Sequence, residues 1–227
     1  MKHFDFHQLA SKLENAYGPP PEYDEDPTDL LVLTILSQNT NDRNRDRAYE
    51  SLRKVYSSNE SLLHAHESEL AETIRSCGLN VIKSKRIIDT LKTIKQRMGS
   101  LDLRFLGNLT YPDAKKFLRS IKGIGPKTTA IVLSFCFRHP SFPVDTHIYR
   151  ILKRLPLIEE KDTRESAHEK MDAIVPENLI YPLHLLLIEH GRTVCRPKNP
   201  KCDSCPIFDF CDFGKNYLEQ ISDSKSP

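Results

Sequence analysis

Apolar residues recur at three- and four-residue intervals through nearly the whole of this 227-residue chain, while strand-like alternation closed by hairpin turns is essentially absent. The stretch DLLVLTILSQNTNDRNRDRAYESLRKVY carries Leu30, Leu31, Leu33, Ile35 and Leu36, then Ala48, Leu52 and Val55, with a polar break at Asn39 to Asn44 between two helices. SLLHAHESELAETIRSCG repeats the pattern up to Gly78, and NVIKSKRIIDTLKTIKQRMGS sets Val81, Ile82, Ile87, Ile88, Leu91 and Ile94 on one face before Gly99. A glycine is the usual residue just past a helix end. PDAKKFLRSI, KTTAIVLSFCF, THIYRILKRL, TRESAHEKMDAIV and LIYPLHLLLIEHG continue the rhythm. The fold class this pattern dictates is all-α. GPPPEYDEDP reads as a linker into the first core helix, and SDSKSP at the end as disordered.

The length suffices for one large or two modest domains with cores of their own. No apolar run approaches the roughly 18 residues of a membrane span. The opening MKHFDFHQLASKLENAYG mixes acids and polar residues and lacks the apolar centre of a secretory signal. A place in the cytoplasm or nucleoid, with no membrane partner, is the expectation.

A net charge of +2 looks small for a protein that handles a polyanion, but its distribution is uneven. Residues 1–82 hold 8 Lys and Arg against 14 Asp and Glu, residues 83–154 hold 16 against 4, and residues 155–227 hold 9 against 13. The middle third is therefore strongly basic. A solvated helix surface accounts for such a run; so does a phosphate-binding face.

Inside that basic third lies IKGIGPKTTAIVL, where Lys122-Gly123-Ile124-Gly125 joins two helical runs and Pro126 and Lys127 open the second. Glycine admits positive φ and lets a ligand approach the backbone. The N–H groups of such a turn and of the helix start after it form an anion site, suited to a DNA phosphate because main-chain donors read no base sequence. Packing alone also produces Gly-x-Gly turns, and a first-turn lysine is ordinarily just solvated.

Six cysteines complete the inventory. Cys77 and Cys136 stand alone in helical surroundings and read as buried thiols. Cys195, Cys202, Cys205 and Cys211 form a C-x6-C-x2-C-x5-C array. Without a secretory signal, four thiolates around a metal centre are a stronger reading than disulfides. Structural zinc usually takes two close pairs separated by a loop; one pair with a single cysteine on each side suits the corners of an iron–sulfur cube at least as well. Spacing leaves both open.

Five segments in order, ILSQNTND, LRSIKGIGPKTTAIVL, VDTHIYR, LIEHGRTVC and the cysteine array, span roughly residues 30 to 211. With these the chain resembles the endonuclease III family of DNA glycosylases, within the helix–hairpin–helix glycosylase superfamily. The resemblance implies that Lys127 is the catalytic amine, Asp145 the catalytic carboxylate, and Cys195, Cys202, Cys205 and Cys211 the ligands of a [4Fe–4S] cluster. It implies that Gln38 and Leu79 fill the gap left by a flipped nucleotide, and that Lys122, Gly123, Gly125, Arg192, Lys198 and Lys201, with Arg196, meet the DNA backbone. Asn41 departs from the family, many members of which carry aspartate there. Each residue also has a plainer role: Asp145 as a helix N-cap, Leu79 as a core leucine, Gln38 as a helix-terminal polar residue. Tyr149 reads as core.

The chemistry asks for the same residue types. Base release places positive charge on the sugar, which a buried carboxylate stabilises; a neutral amine then forms a Schiff base at C1′. A helix N-terminus disfavours a cation, which helps a lysine on that turn shed its proton. The superfamily branch acting on mismatched adenine has serine in place of Lys127 and an acid where this chain has Leu33, and the branch acting on thymine or uracil opposite guanine has tyrosine or serine at Lys127.

Lysine thus favours a glycosylase with AP lyase activity, acting as a monomer on double-stranded DNA that carries a damaged base, an oxidised pyrimidine by family default, or an abasic site. A monofunctional mismatch glycosylase and a non-catalytic helix–hairpin–helix DNA-binding protein are the alternatives. The expected architecture is two helical domains flanking a cleft. One covers residues 20–139 with the hairpin at about 113–137. The other joins residues 1–19 to 140–227 and carries the cluster loop at 195–211. Lys127 and Asp145 then face each other across the cleft.

Overall fold

The structure, a computed structural model, describes residues 4–22 and 24–223. Contacts divide the chain into two compact units: Tyr23–Phe137, and Met1–Glu22 together with Arg138–Pro227. Among the described residues all regular structure is helical, and no helix is long and apolar enough to cross a membrane.

In chain order α1 (Phe6–Tyr17) precedes the helices of the central unit: α2 (Pro27–Leu36), α3 (Asp42–Val55), α4 (Asn59–Leu63), α5 (Glu67–Thr73), α6 (Asn80–Met98), α7 (Tyr111–Arg119) and α8 (Pro126–Phe137). Two helices of this unit are apolar on nearly every side. In α2 Leu30, Leu31, Val32, Ile35 and Leu36 are all buried, and in α8 every residue from Thr128 to Phe135 is. A helix apolar all round belongs in a core, and these two pack on each other. The start of α2 is fixed by Asp26, whose Oδ1 accepts from Thr28 N at 2.9 Å, with Pro27 in the first turn.

The stretch leading to Gly78 is not one helix. It breaks into α4, α5 and a 3-10 turn, Arg75–Cys77. Glu67 and Glu69 open a new first turn at α5, where acids are favoured, and no glycine or proline announces the break. On α6 the stripe Ile87, Ile88, Leu91 and Ile94 is buried as the periodicity predicts, but Val81 and Ile82 are 62% and 54% exposed. Val81 shares the face of Ser84 and Ile88 one turn beyond the elements that cover them, and Ile82 shares the solvent face of Lys85 and Asp89. The helix outruns its core by a turn. Cys77 is buried, whereas Cys136 is only half-buried.

The second unit holds α1 and, after residue 138, α9 (Thr146–Arg154), α10 (Arg164–Ile174), α11 (Glu177–Thr193) and α12 (Asp212–Asp223). Its core gathers Leu9, Leu13, Phe142, Ile148, Leu152, Met171, Leu183 and Leu187. Tyr149 packs against this core, half-buried, and donates its hydroxyl to Asp162 O. Gly191 on α11 is needed for close approach to α9: a Cβ there would lie 2.7 Å from His147 Cβ. At the C-terminus, Ser222 and Asp223 belong to α12 rather than to a disordered tail, and the remainder of SDSKSP lies outside the described residues.

Candidate active site

The hairpin is built by its isoleucines. After α7 ends, Ile121 N bonds to Leu118 O and Ile124 N to Ile121 O, both at 3.1 Å, and both isoleucines are buried. This burial turns Lys122 and Gly123 outward, where both are exposed. Gly123 takes φ +89°, which favours glycine, and a Cβ there would meet Arg86 Nε at 2.8 Å, so the arginine would have to shift. Gly125 is different: its φ is ordinary and a Cβ would meet nothing within 4 Å. Only one of the two glycines is demanded by the fold. The first intrahelical bond of α8 runs from Thr129 N to Gly125 O at 3.0 Å, and N–H groups ahead of it have no intrahelical acceptor. Lys127 stands on that opening turn, half-buried.

In the other unit Asp145 is the N-cap of α9. Its Oδ1 accepts from Ile148 N at 2.8 Å, and the residue is 8% exposed. The cap occupies one carboxylate oxygen. Arg150, one turn on, donates to Cys195 O at 3.0 Å and Gly191 O at 2.9 Å, which ties α9 to the end of α11.

Gln38 lies half-buried beyond α2, next to Asn39 at φ +51°, and its Oε1 accepts from Arg86. Leu79 is not a core leucine. It sits at φ +49° and is 51% exposed, between the 3-10 turn and α6. A bulky residue in the left-handed region costs on the order of 1–3 kcal/mol, and here that residue also leaves its side chain in water. Asn41, the departure from the family pattern, caps α3 by accepting from Asn44 N at 2.9 Å. Arg192, Arg196, Lys198 and Lys201 are exposed around the first two array cysteines.

The four array cysteines line one cavity together with Ile151, Arg154, His190 and Ile207. Among the described residues no set of three or more His, Cys, Asp or Glu side chains converges on a single-ion geometry. Four cysteine sulfurs are the donor set that an iron–sulfur cluster takes. Arg154 NH1 donates to Cys195 Sγ at 3.1 Å and Gly214 N to Cys211 Sγ at 3.3 Å, and His190 Nε2 lies 3.7 Å from Cys205 Sγ. Burial pushes the Cys205 thiol up to about 12, and raises Cys202 and Cys211 as well. Buried thiols so unwilling to ionise need a cation among them to become thiolates.

A model of the HhH-GPD superfamily of base excision DNA repair proteins matches residues 32–177. A model of the iron-sulfur binding domain of endonuclease III matches residues 195–211. Endonuclease III of Thermotoga maritima is 32% identical over 206 residues, 91% of this chain and 92% of that protein. The chain belongs to the endonuclease III family. As a member of it, the protein is a base excision repair DNA glycosylase and AP lyase with a [4Fe–4S] cofactor. Its fold matches that of endonuclease III in a non-covalent DNA complex, with a TM-score of 0.78 at 25% identity over 95% of this chain and 99% of that one. It also matches endonuclease III in a trapped covalent DNA intermediate, with a TM-score of 0.77 at 24% identity over 95% and 99%.

The residue pattern alone passes over two buried polar side chains beside these residues. Lys83, a lysine inside an apolar stripe, is 1% exposed. His190 is equally buried, accepts or donates at Nδ1 with Tyr17 Oη at 2.7 Å, and is pulled down to about 4 by burial and Arg150. Charged or imidazole side chains at inward helical positions were the available signal.

Proposed function

We propose that Lys127 is the nucleophile and Asp145 the stabilising carboxylate of a DNA glycosylase/AP lyase that removes oxidised pyrimidines from duplex DNA. The observation that carries this reading is the position of Lys127, a half-buried amine on the opening turn of the helix that follows the glycine turn.

The neutral Nζ bonds to C1′ as the C1′–N bond breaks and the base leaves with its electron pair, to be protonated. Asp145, whose Oδ1 is spent on the α9 cap, offers its other oxygen to the positive charge that develops on the sugar. The sugar ring opens as the Schiff base forms. Loss of a C2′ proton then expels the 3′ phosphate, and water returns the free amine. Because C1′ cannot be attacked within the stack, the nucleotide must leave the duplex. Leu79 and Gln38 fill the space it vacates, and the exposure and left-handed backbone of Leu79 support that role. Lys122 with the N–H groups around Gly123 and Gly125 holds one stretch of phosphates, and Arg192, Lys198 and Lys201 another.

Cys195, Cys202, Cys205 and Cys211 hold the cluster, which serves as a scaffold for the basic loop rather than as a redox catalyst. The protein acts as a monomer, in the cytoplasm on nucleoid DNA. The deciding experiment is borohydride trapping on abasic duplex DNA: a covalent protein–DNA adduct supports the lyase. Base release without an adduct would make it a monofunctional glycosylase, and binding without either would make it a DNA-binding module.

A further inference from the structure

Lys83 is buried in the unit Tyr23–Phe137 and has no place in the proposed reaction. Its Nζ donates to Leu36 O and to Cys77 O, each at 2.8 Å. Each acceptor lies two residues upstream of a side chain assigned to the DNA: Leu36 precedes Gln38, and Cys77 precedes Leu79. One ammonium therefore joins the end of α2 to the 3-10 turn. One turn further along α6, Arg86 donates through NH1 to Gln38 Oε1. The stem of the same arginine runs beneath the hairpin, with Nε, Cδ and Cγ 2.8, 3.0 and 3.2 Å from where a Cβ on Gly123 would stand. Two neighbouring side chains of one helix thus connect three separate loops.

The energetics favour a purpose for this arrangement. Burying an ammonium costs several kcal/mol unless hydrogen bonds compensate, and burial pulls Lys83 below its ordinary range. A methionine would fill the same volume without that cost. Two of the loops so joined each hold a non-glycine residue in the left-handed region, Asn39 at φ +51° and Leu79 at φ +49°, as Arg138 and Asn199 do elsewhere. Such strained conformations persist only where surrounding contacts over-determine them.

We propose that Lys83 and Arg86 are positioning residues that hold Gln38, Leu79 and the Gly123 turn in one register, so that nucleotide extrusion and phosphate binding occur together. The role presupposes that Gln38 and Leu79 face the DNA. It makes a separable demand: the clamp matters where a nucleotide must be drawn from a duplex and not where the abasic site is already unstacked.

The test uses the full-length, cluster-loaded protein and its Lys83→Met and Arg86→Ala variants. Single-turnover strand cleavage is measured at an abasic site in duplex DNA and in the same strand alone. A second probe is 2-aminopurine opposite a tetrahydrofuran site in the duplex, whose fluorescence reports insertion at the unpaired base. The expected result is a duplex-to-single-strand rate ratio lowered about 10- to 100-fold in both variants, with a smaller 2-aminopurine rise on binding. A ratio equal to wild type, or equal losses on both substrates, overturns the clamp. Should Lys83→Met fail to fold, Arg86→Ala, at a half-buried position, decides alone. Failure of the wild-type protein to form a borohydride adduct with either substrate overturns the lyase assignment itself; an adduct with unchanged ratios overturns only the clamp.

Discussion

Asp145 caps α9 and, in the proposed reaction, also stabilises charge on the sugar. Capping uses Oδ1, and asparagine caps as well as aspartate does. Asp145→Asn should therefore keep the fold and lose only charge, lowering the rate of base release on the order of 100- to 1000-fold, while cleavage of a pre-formed abasic site survives in part. Asp145→Ala should lose the cap too and cost about 1 kcal/mol of stability in denaturant melts. Lys127→Ala removes the amine, and its borohydride adduct with abasic DNA should vanish while binding to an abasic analogue persists. An adduct that survives this substitution would assign the nucleophile elsewhere. At this scale the catalytic candidates are legible in the sequence, because a proline-lysine pair after a glycine turn and an aspartate before a helix are local signals.

Among the elements, the hairpin and the α9–α11 contact use glycine for different reasons. Gly191 has no room for a methyl group against His147, so Gly191→Ala should cost about 1–3 kcal/mol by overpacking. Gly125 has open space beside it and an ordinary φ. Gly125→Ala should leave the stability within about 0.5 kcal/mol of wild type, yet, on the proposed phosphate contact, weaken duplex binding measurably. Equal stability losses for the two variants would contradict this division. Chain order cannot rank these glycines. Their difference lies in what sits opposite: His147, distant in sequence, for one, and solvent for the other.

For the whole molecule, the proposed function has Lys122 and Lys198 each meet the DNA backbone. Duplex affinity should fall steeply with salt, and Lys122→Ala and Lys198→Ala should each reduce the slope of log K against log salt by about 0.9 for every phosphate left unneutralised. An unchanged slope would remove these side chains from the interface. The cluster loop carries the second cation, so the purified protein should be brown, absorbing broadly near about 400 nm, and should contain iron rather than a single zinc. Cys205→Ser should lower soluble yield and DNA binding more than it alters the single-turnover rate of the bound fraction.

What the amino-acid order settles by itself is whatever depends on near neighbours. Helical periodicity names the class. Asp26, Asn41, Thr110 and Asp145 mark helix starts through their own side-chain oxygens, and the cysteine spacing names a metal centre. Tertiary structure alone decides which elements cover which faces. It leaves Val81 and Leu79 in solvent although their residue types belong in a core, and it buries Lys83 although its type belongs in water. The reason is physical: a hydrogen bond to a cap spans three residues, whereas the carbonyl that receives Lys83 Nζ lies 47 residues away at Leu36. No periodicity within α6 encodes that partner until α2 has packed beside it.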